Sequence, residues 1–503
     1  MKKSILFFSI VFILIIFSTL AIAQSGATST TNFQLIPTYE SISVYASFSG
    51  DSDKNNNAIM EYKKSSSSTW LRGHDMYMDR TTSIQQSRSS NSFSNPFVNQ
   101  ARVSVFLVSP CTQYDVRVTF TDSGGVSGTN PLTSTVTTRC DPPLGTGNKY
   151  YVSPSGSDTN PGTESSPFAT IQKAAGIAKA GDTVYVKAGT YNGGISIANS
   201  GTANNWITFT NFGTDSVTIQ GGTNHFVIKG QSFIRIKGFT LKSSTANSIH
   251  LFGSAHHIIV EDNIFDNPNS GGSRYGDGAA RLEVGPYNFV FQRNKVTRSA
   301  GGREAMGIYL QETNGGHVIR HNTFSGSFYD GIGGEPNYKG LNGGPHKDSD
   351  IYGNTFTGCI DDGLEAEGPQ VNVRIWGNTV KGCKVGIGVA PQYIGPSYIF
   401  DNVLVNSGND ALKLGEVSRG KAYIYHNTVV GGQHGAANSG GDSSANFYSN
   451  IVFRNNDFDA NRRGLSGASG GNSYDFDNLR GDYVASWCGS SNSPCGSRSD
   501  YSS

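Results

Sequence analysis

Two hydrophobic rhythms divide the chain. Before residue 140, short runs alternate apolar and polar positions: "SISVYASFSG" (41–50), "AIMEYKKSSSSTW" (58–70) and "ARVSVFLV" (101–108). A period of two predicts half-buried strands. Beyond residue 148 the alternation is held inside a longer repeat. Aligning "IIVEDNIF", "FVFQRNKV", "HVIRHNTF", "SDIYGNTF", "VRIWGNTV", "YIFDNVLV", "YIYHNTVV" and "NFYSNIVF" brings asparagines 263, 294, 322, 354, 378, 402, 427 and 450 into one column. Their spacings are 31, 28, 32, 24, 24, 25 and 23 residues. A period near 24, with apolar residues alternating before each Asn and resuming after it, predicts a solenoid of one turn per repeat. The Asn column is expected to turn a corner, since Asn tolerates left-handed backbone and stacked amides bond along the axis. Asn211 and Gly238 extend the column toward the N-terminus.

A second strand recurs in each coil, at "NSIHLF" (247–252), "GAARLE" (278–283), "GIYLQ" (307–311), "DGIGGE" (330–335), "DGLEAE" (362–367), "VGIGVA" (385–390) and "DALKLG" (410–415). Ile308, Leu310, Ile332, Leu364, Ile387, Val389, Leu412 and Leu414 should point inward, which sends the residues between them outward. One outward column then reads His250, Arg281, Tyr309, Gly333, Glu365, Gly388, Lys413; the next reads Phe252, Glu283, Gln311, Glu335, Glu367, Ala390, Gly415. Adjacent parallel strands lie ~4.8 Å apart, so the columns bring Glu335, Glu365 and Glu367 together, with Asp361 and Asp362 where the strand begins. Like charges that close do not all ionise without a cation or a shared proton. A glycosidase needs such a pair, one acid protonated and one ionised; a calcium site needs much the same oxygens. A solvated outer face is the bland alternative. The three long Asn intervals hold insertions that precede or overlap the acidic coils. They could supply a rim of Arg274, Tyr275, Arg303, Glu304, Tyr338, Lys339, His346 and Lys347.

Composition narrows the setting. Net charge is +1 with no basic block, which excludes nucleic acid as a natural partner. Met1-Lys2-Lys3, an apolar run from Ile5 to Ala21 and the Ala21-Ile22-Ala23 site read as a signal peptide over 1–23, so the mature chain is expected outside the cell, with no membrane segment and as a monomer. Six cysteines suit an oxidising compartment. Cys111 and Cys140 are expected to pair, as are Cys488 and Cys495. Cys359 and Cys383 share one column of adjacent coils, where a bridge and a pair of free buried thiols are equally good readings.

Specific motifs sharpen the domains. "LVSPCTQYDVRVTFTD", with Tyr114 ahead of the alternating Val116, Val118 and Phe120, resembles the tyrosine corner and following strand of a fibronectin type III domain. Tyr62 and Trp70 sit where that family has strand aromatics. The resemblance implies a β-sandwich over 32–140, ended by the linker 141–147. "KYYVSPSGSDTNPGTESSPFATIQKAAGIAKAGDTVYVKAGTY", with an amphipathic segment at 167–179, resembles the N-terminal cap of secreted right-handed parallel β-helix proteins of the pectate-lyase-like superfamily. The expected fold is therefore all-β: a right-handed parallel β-helix with a helical cap over 148–490, a sandwich before it and a tail at 491–503.

The β-helix resemblance implies a polysaccharide or other glycan as partner and leaves the reaction open. A lyase would draw its base from Arg281, Tyr309 and Lys413 and hold calcium with Asp330, Asp361, Asp362, Glu335, Glu365 and Glu367; a hydrolase would use Glu335 with Glu365 or Glu367, helped by Asp362. Tyr309, Glu283, Gln311, Tyr338, His346 and Lys347 are the expected substrate-binding residues. A non-catalytic adhesin or matrix protein is the alternative from another class.

Overall fold

The computed structural model describes residues 26–86, 91–270, 274–299, 305–335, 344–414 and 420–438 throughout, and later only the strand segments 451–454, 457–459, 463–466, 473–475 and 478–480. Residues 1–25, Arg303, Glu304, Tyr338, Lys339, Gly415, Asn450, Cys488, Cys495 and residues 491–503 lie outside the described residues.

Residues 28–137 fold into two facing sheets. Strands Thr28–Pro37, Ser41–Gly50, Tyr77–Asp79, Gln100–Phe106 and Val126–Ser127 make one; Asn57–Lys64, Leu71–Asp75, Gln113–Thr121 and Leu132–Thr137 make the other. Alternation puts Ile42, Val44, Ala46, Val103, Val116, Val118 and Phe120 into the core between them. The Tyr114 hydroxyl accepts a bond from the Ser109 N–H at 2.9 Å, closing a turn back onto the strand before it. A disulfide joins Cys111 to Cys140. Trp70 stays out of the core, half-buried just before Leu71–Asp75, with the Arg117 guanidinium 4.3 Å from its ring.

Among the described residues from Lys149 onward, each complete coil contributes one strand to each of three parallel sheets, of 13, 12 and 11 strands. Pairing runs only between successive coils, for example Ile258↔Phe289, Phe265↔Val296 and Leu282↔Leu310. This is a parallel β-helix, and its bore is filled by stacked Ile, Val, Leu and Phe side chains. The helix Ile171–Ile177 closes the first coil, burying Ile171, Ala174 and Ala175 over an otherwise open apolar end. It is shorter than the 167–179 segment because Phe168 still bridges to Val152, and Thr170 then caps the helix by accepting from the Lys173 N–H. No helix among the described residues is long and apolar enough to cross a membrane.

The asparagines form a buried ladder. Asn354 Nδ2 donates to the Ile319 carbonyl at 2.9 Å and to Asn378 Oδ1 at 3.0 Å, and its backbone N–H donates to the same Oδ1. The pattern continues through Asn263, Asn294, Asn322, Asn378, Asn402 and Asn427. One detail differs from expectation: the left-handed residue is the one before each Asn, namely Asp262, Arg293, His321, Gly353, Gly377, Asp401 and His426, with φ between 52° and 62°. The ladder Asn supplies the inward amide that satisfies the corner's carbonyl, and its neighbour makes the bend.

The sandwich is bonded to the first of the three solenoid sheets. Tyr352, Trp376 and Phe400 stack along successive coils, at 4.1 Å and 5.6 Å between ring centres, and Phe106 of the sandwich lies 4.8 Å from Phe400. Beside them the fully buried Arg374 pairs with Asp350 and donates to Ser43 and Ser104, while Thr38 donates to Asp350. Tyr45 donates to Asp348 at 2.6 Å, and the Ser104 N–H donates to the Tyr398 hydroxyl at 3.0 Å.

Candidate functional site

The third sheet carries the candidate site residues. Its strands Ile249–Phe252, Gly278–Glu283, Met306–Gln311, Ile332–Glu335, Asp362–Glu365, Val385–Gly388 and Asp410–Leu414 pair in the register that sets the two outward columns: His250↔Arg281↔Tyr309↔Gly333 in one, Phe252↔Glu283↔Gln311↔Glu335 in the other, and Glu365↔Gly388↔Lys413 further along the first. Ile308, Leu310, Ile332, Leu364, Ile387 and Leu412 are fully buried beneath.

At the N-terminal end the columns form a saturated basic cluster. Arg281 is buried, donates to the Tyr275 carbonyl, Glu283 and Gln311, and lies 4.7 Å from the Tyr309 ring. Glu283 also takes His250 at 2.6 Å and Arg274 at 2.5 Å. Burial opposes its charge, but bonds from Arg281 and His250 and the nearby guanidinium charges outweigh it and pull Glu283 down to about 2.

The acids gather one to three coils further on. Two glycines in the outward column make the room. A Cβ on Gly333 would stand 2.9 Å from Asp330 Oδ2; one on Gly388 would stand 2.5 Å from Asp362 Oδ2, 2.9 Å from Glu367 Oε1 and 3.0 Å from Lys413 Cε. Asp330 and Asp362 share the parity of the core residues Ile332 and Leu364, yet each begins its coil's turn into the strand and folds its carboxylate over the neighbouring glycine. The Asp362 N–H donates to Asp330 Oδ1 at 2.9 Å, and the Gly334 N–H donates to Glu365 Oε2 at 3.1 Å. Lys413 Nζ lies 2.6 Å from Asp362 and 2.7 Å from Glu367; Lys384 pairs with Asp361 at 2.9 Å.

All of these carboxylates but the partly exposed Asp361 are buried, unlike a solvated outer face: Glu365 is 9% exposed and Asp362 and Glu367 are each 1% exposed. Glu367 lies past the end of its strand at Glu365 and turns back to Lys413, so it leaves the outward column that strict alternation assigns it. Burial, then the charge of Asp362, pushes Asp330 well above the carboxylate range; burial, then Glu367, does the same to Glu365. Asp362 is raised by burial, against the pull of Lys413. Burial opposes the charge of Lys413, but Glu367, Asp362 and Glu365 outweigh it and hold the ammonium firmly protonated. Asp330, Asp361 and Asp362 can place one oxygen each within 4.8 Å of one another, as can Asp362, Glu365 and Glu367. Asp362 Oδ1 is buried with no hydrogen-bond partner among the described residues. Five carboxylates thus stand against the two ammonium groups of Lys384 and Lys413, and an all-oxygen set with spare negative charge fits a hard divalent cation such as calcium.

An aromatic wall joins the two clusters. Tyr275 meets Tyr309 and Tyr329 edge-on at 5.7 Å and 6.1 Å. Burial, then Glu365, Asp330 and Glu335, raises the Tyr275 hydroxyl, and burial, then Asp361, takes Tyr329 up to about 12. Tyr329 and Lys384 were not expected from sequence; the pair of glycines at 333 and 388, in a column of otherwise large polar residues, is the signal that marks the hollow they border. Two expected rim residues sit elsewhere. His346 is buried, with Nδ1 on the Thr313 carbonyl, and Lys347 lies at the junction with the sandwich. Cys359 and Cys383 are bridged, stapling the acid coil to the next.

Residues 150–364 match the family model described as Pel9A-like, right handed beta helix region. A stretch of 134 residues is 37% identical to the uncharacterized protein YwoF of Bacillus subtilis (strain 168), and the match spans 24% of this chain and 29% of that protein. Among solved structures, pectate lyase Pel9A is 16% identical (TM-score 0.41, covering 71% of this chain and 83% of that one). The complex of XylC with xylose is 13% identical (TM-score 0.38, 65% and 69%), and an alginate lyase from Paenibacillus sp. str. FPU-7 is 15% identical (TM-score 0.34, 61% and 96%). None of these three likenesses bears on the chemistry of the site. The family match ends inside the strand Asp362–Glu365, so Glu367 and Lys413 lie beyond it. Residues 150–364 are thus similar to a Pel9A-like right-handed β-helix region, in keeping with the parallel β-helix they form.

Proposed function

We propose that the chain is an extracellular enzyme that cuts an acidic, uronate-containing polysaccharide by elimination, on the outward face of the third sheet. The observation that supports this most directly is Lys413, half-buried and held between the buried Asp362 and Glu367, beside carboxylates that exceed its charge. A lyase must neutralise the uronate carboxylate and take the neighbouring carbon-bound proton. Asp330, Asp361 and Asp362 would hold calcium, with Glu365 at hand. Calcium held there would supply positive charge that neutralises the substrate carboxylate and lowers the raised lysine pKa.

The chain's own groups then have distinct roles. The Lys413 amine takes the proton as the C–H bond breaks and the carbon–carbon double bond forms. Glu365, kept protonated by burial and its neighbours, gives a proton to the departing glycosidic oxygen. Tyr275, 37% exposed, offers its ring to the sugar; Tyr309, expected to bind substrate, is buried behind it, and Arg281, fixed by Glu283 and Gln311, keeps that wall in place.

The test is a panel of polygalacturonate, alginate and other uronate polymers, followed by ultraviolet absorbance of the unsaturated product and by reducing ends. Absorbance that a chelator abolishes and that Lys413→Ala lowers by at least ~100-fold, the lower end of general acid–base effects, is the expected result. Reducing ends without absorbance would point to hydrolysis, with Glu365 as acid and Glu335 or Glu367 as its partner. No cleavage of any polymer would sink the enzyme reading and leave a glycan-binding surface protein.

A further inference from the structure

A cleft of about 220 Å³ opens where the sandwich meets the solenoid, away from the acids. Both units line it: Tyr45, Phe97 and Gln100 from the sandwich, Asn288, Asn314 and Lys347 from the solenoid. Its apolar side is the ring pair of Tyr45 and Phe97, 6.4 Å apart and 23° from parallel. That pair is rigid. Tyr45 is anchored on Asp348, and Arg102 lies 5.3 Å from the Phe97 ring. The polar side is made of amides. Asn288 is held by Arg139 at 2.7 Å, and Asn314 is exposed with its Nδ2 on the Gly285 carbonyl. Gln100 Oε1 is buried without a hydrogen-bond partner. Lys347 supplies the charge: its ammonium has no hydrogen-bond or ion-pair partner among the described residues, and the adjacent Asp348 is already engaged by Tyr45.

Flat rings, planar amides and one lysine suit a polyhydroxylated ring that carries a carboxylate. The volume lies below the ~300–1,000 Å³ of drug-sized sites, so it suits one sugar residue of a longer chain. The position fits as well. Asn314 is three residues past Gln311, whose strand partner is Glu335 at the edge of the acid cluster. Three residues of chain span at most ~11 Å, so a glycan lying along the third sheet reaches the cleft by turning one corner of the solenoid.

We infer that the junction cleft is a second binding site for the same acidic glycan, several sugars from the bond that is cut, which makes the sandwich part of the substrate path. This rests on the uronate reading proposed above. The test measures binding of uronate trimers and hexamers by calorimetry at low salt, in a Glu365→Gln background and in the same background carrying Lys347→Met and Asn314→Ala. Both added substitutions are at solvent-accessible positions. The hexamer should bind at least five-fold more weakly to the cleft variant, with the trimer changed by less than two-fold. Methyl-esterified hexamer, which lacks the charge, should be indifferent to Lys347. Equal hexamer affinity in the two proteins overturns the inference, even if wild-type protein cleaves uronates. Cleft-dependent hexamer binding by a protein that cleaves nothing would keep the cleft and overturn the enzyme reading instead. Binding that depends on the cleft equally for the esterified hexamer removes the acidic part of the assignment.

Discussion

At the scale of single residues, the acid group is balanced through Lys413. Breaking a buried ion pair by removing one partner leaves the other uncompensated, at a cost of about 3–5 kcal/mol. Lys413→Met should therefore destabilise the fold by about that much at neutral pH. The pH dependence has a definite sign. The folded pKa of Lys413 is raised, so its contribution is complete below the ordinary lysine range and is lost only above the folded value. Asp330 and Glu365 are also raised, so the folded state keeps protons that the unfolded chain has released; their effect on stability worsens as pH climbs from the ordinary carboxylate range toward the folded values. Without the lysine that decline steepens. Urea melts of Lys413→Met at pH 5 and pH 8 should show the larger deficit at pH 8. A deficit independent of pH would mean that the acids are balanced by something other than Lys413. Gly388 belongs to the same balance, since even a methyl group there collides with Asp362, Glu367 and Lys413 at once.

At the scale of the coil, the Asn ladder fixes the corner by exchanging two bonds per step. Asn354→Ala would orphan the Ile319 carbonyl and the Asn322 backbone N–H, and take one of two bonds from each of Asn322 Nδ2 and Asn378 Oδ1. A buried group left unpaired costs ~1–3 kcal/mol, so a loss of about 3 kcal/mol is expected, seen as a lower denaturation midpoint. A change under about 1 kcal/mol would show that water replaces the amide. This level was the most legible in the sequence, because the solenoid repeats the same local problem in every coil: one Asn, one bend, one alternating strand. The outward columns of the third sheet could be read for the same reason. Legibility failed where alternation ends. Asp330 and Asp362 have core parity but reach outward at the start of their strands, and Glu367 turns back after its strand has stopped. The state of Cys359 and Cys383 was equally undetermined, since one column position suits a bridge and a thiol pair alike.

At the scale of the molecule, the sandwich and the solenoid share a buried polar seam. Nothing in either sequence announces this, because each surface is an ordinary amphipathic sheet face until the other covers it. Arg374 is the keystone, with Asp350 on the preceding coil and Ser43 and Ser104 across the seam. Arg374→Met should cost about 3–5 kcal/mol by leaving Asp350 buried with little compensation. It should also speed proteolysis in 141–147, the linker between the units. Unchanged cleavage there would show that the aromatic contacts alone hold the two together.

Those contacts have an optical consequence. Trp376 is stacked between Tyr352 and Phe400 and sealed by the sandwich, with 6% of its surface exposed. Separation of the sandwich would bring water to that indole while the coils beneath stay paired. Its emission colour is then a gauge of the seam itself, readable without any label once Trp70, Trp206 and Trp487 are replaced by Phe.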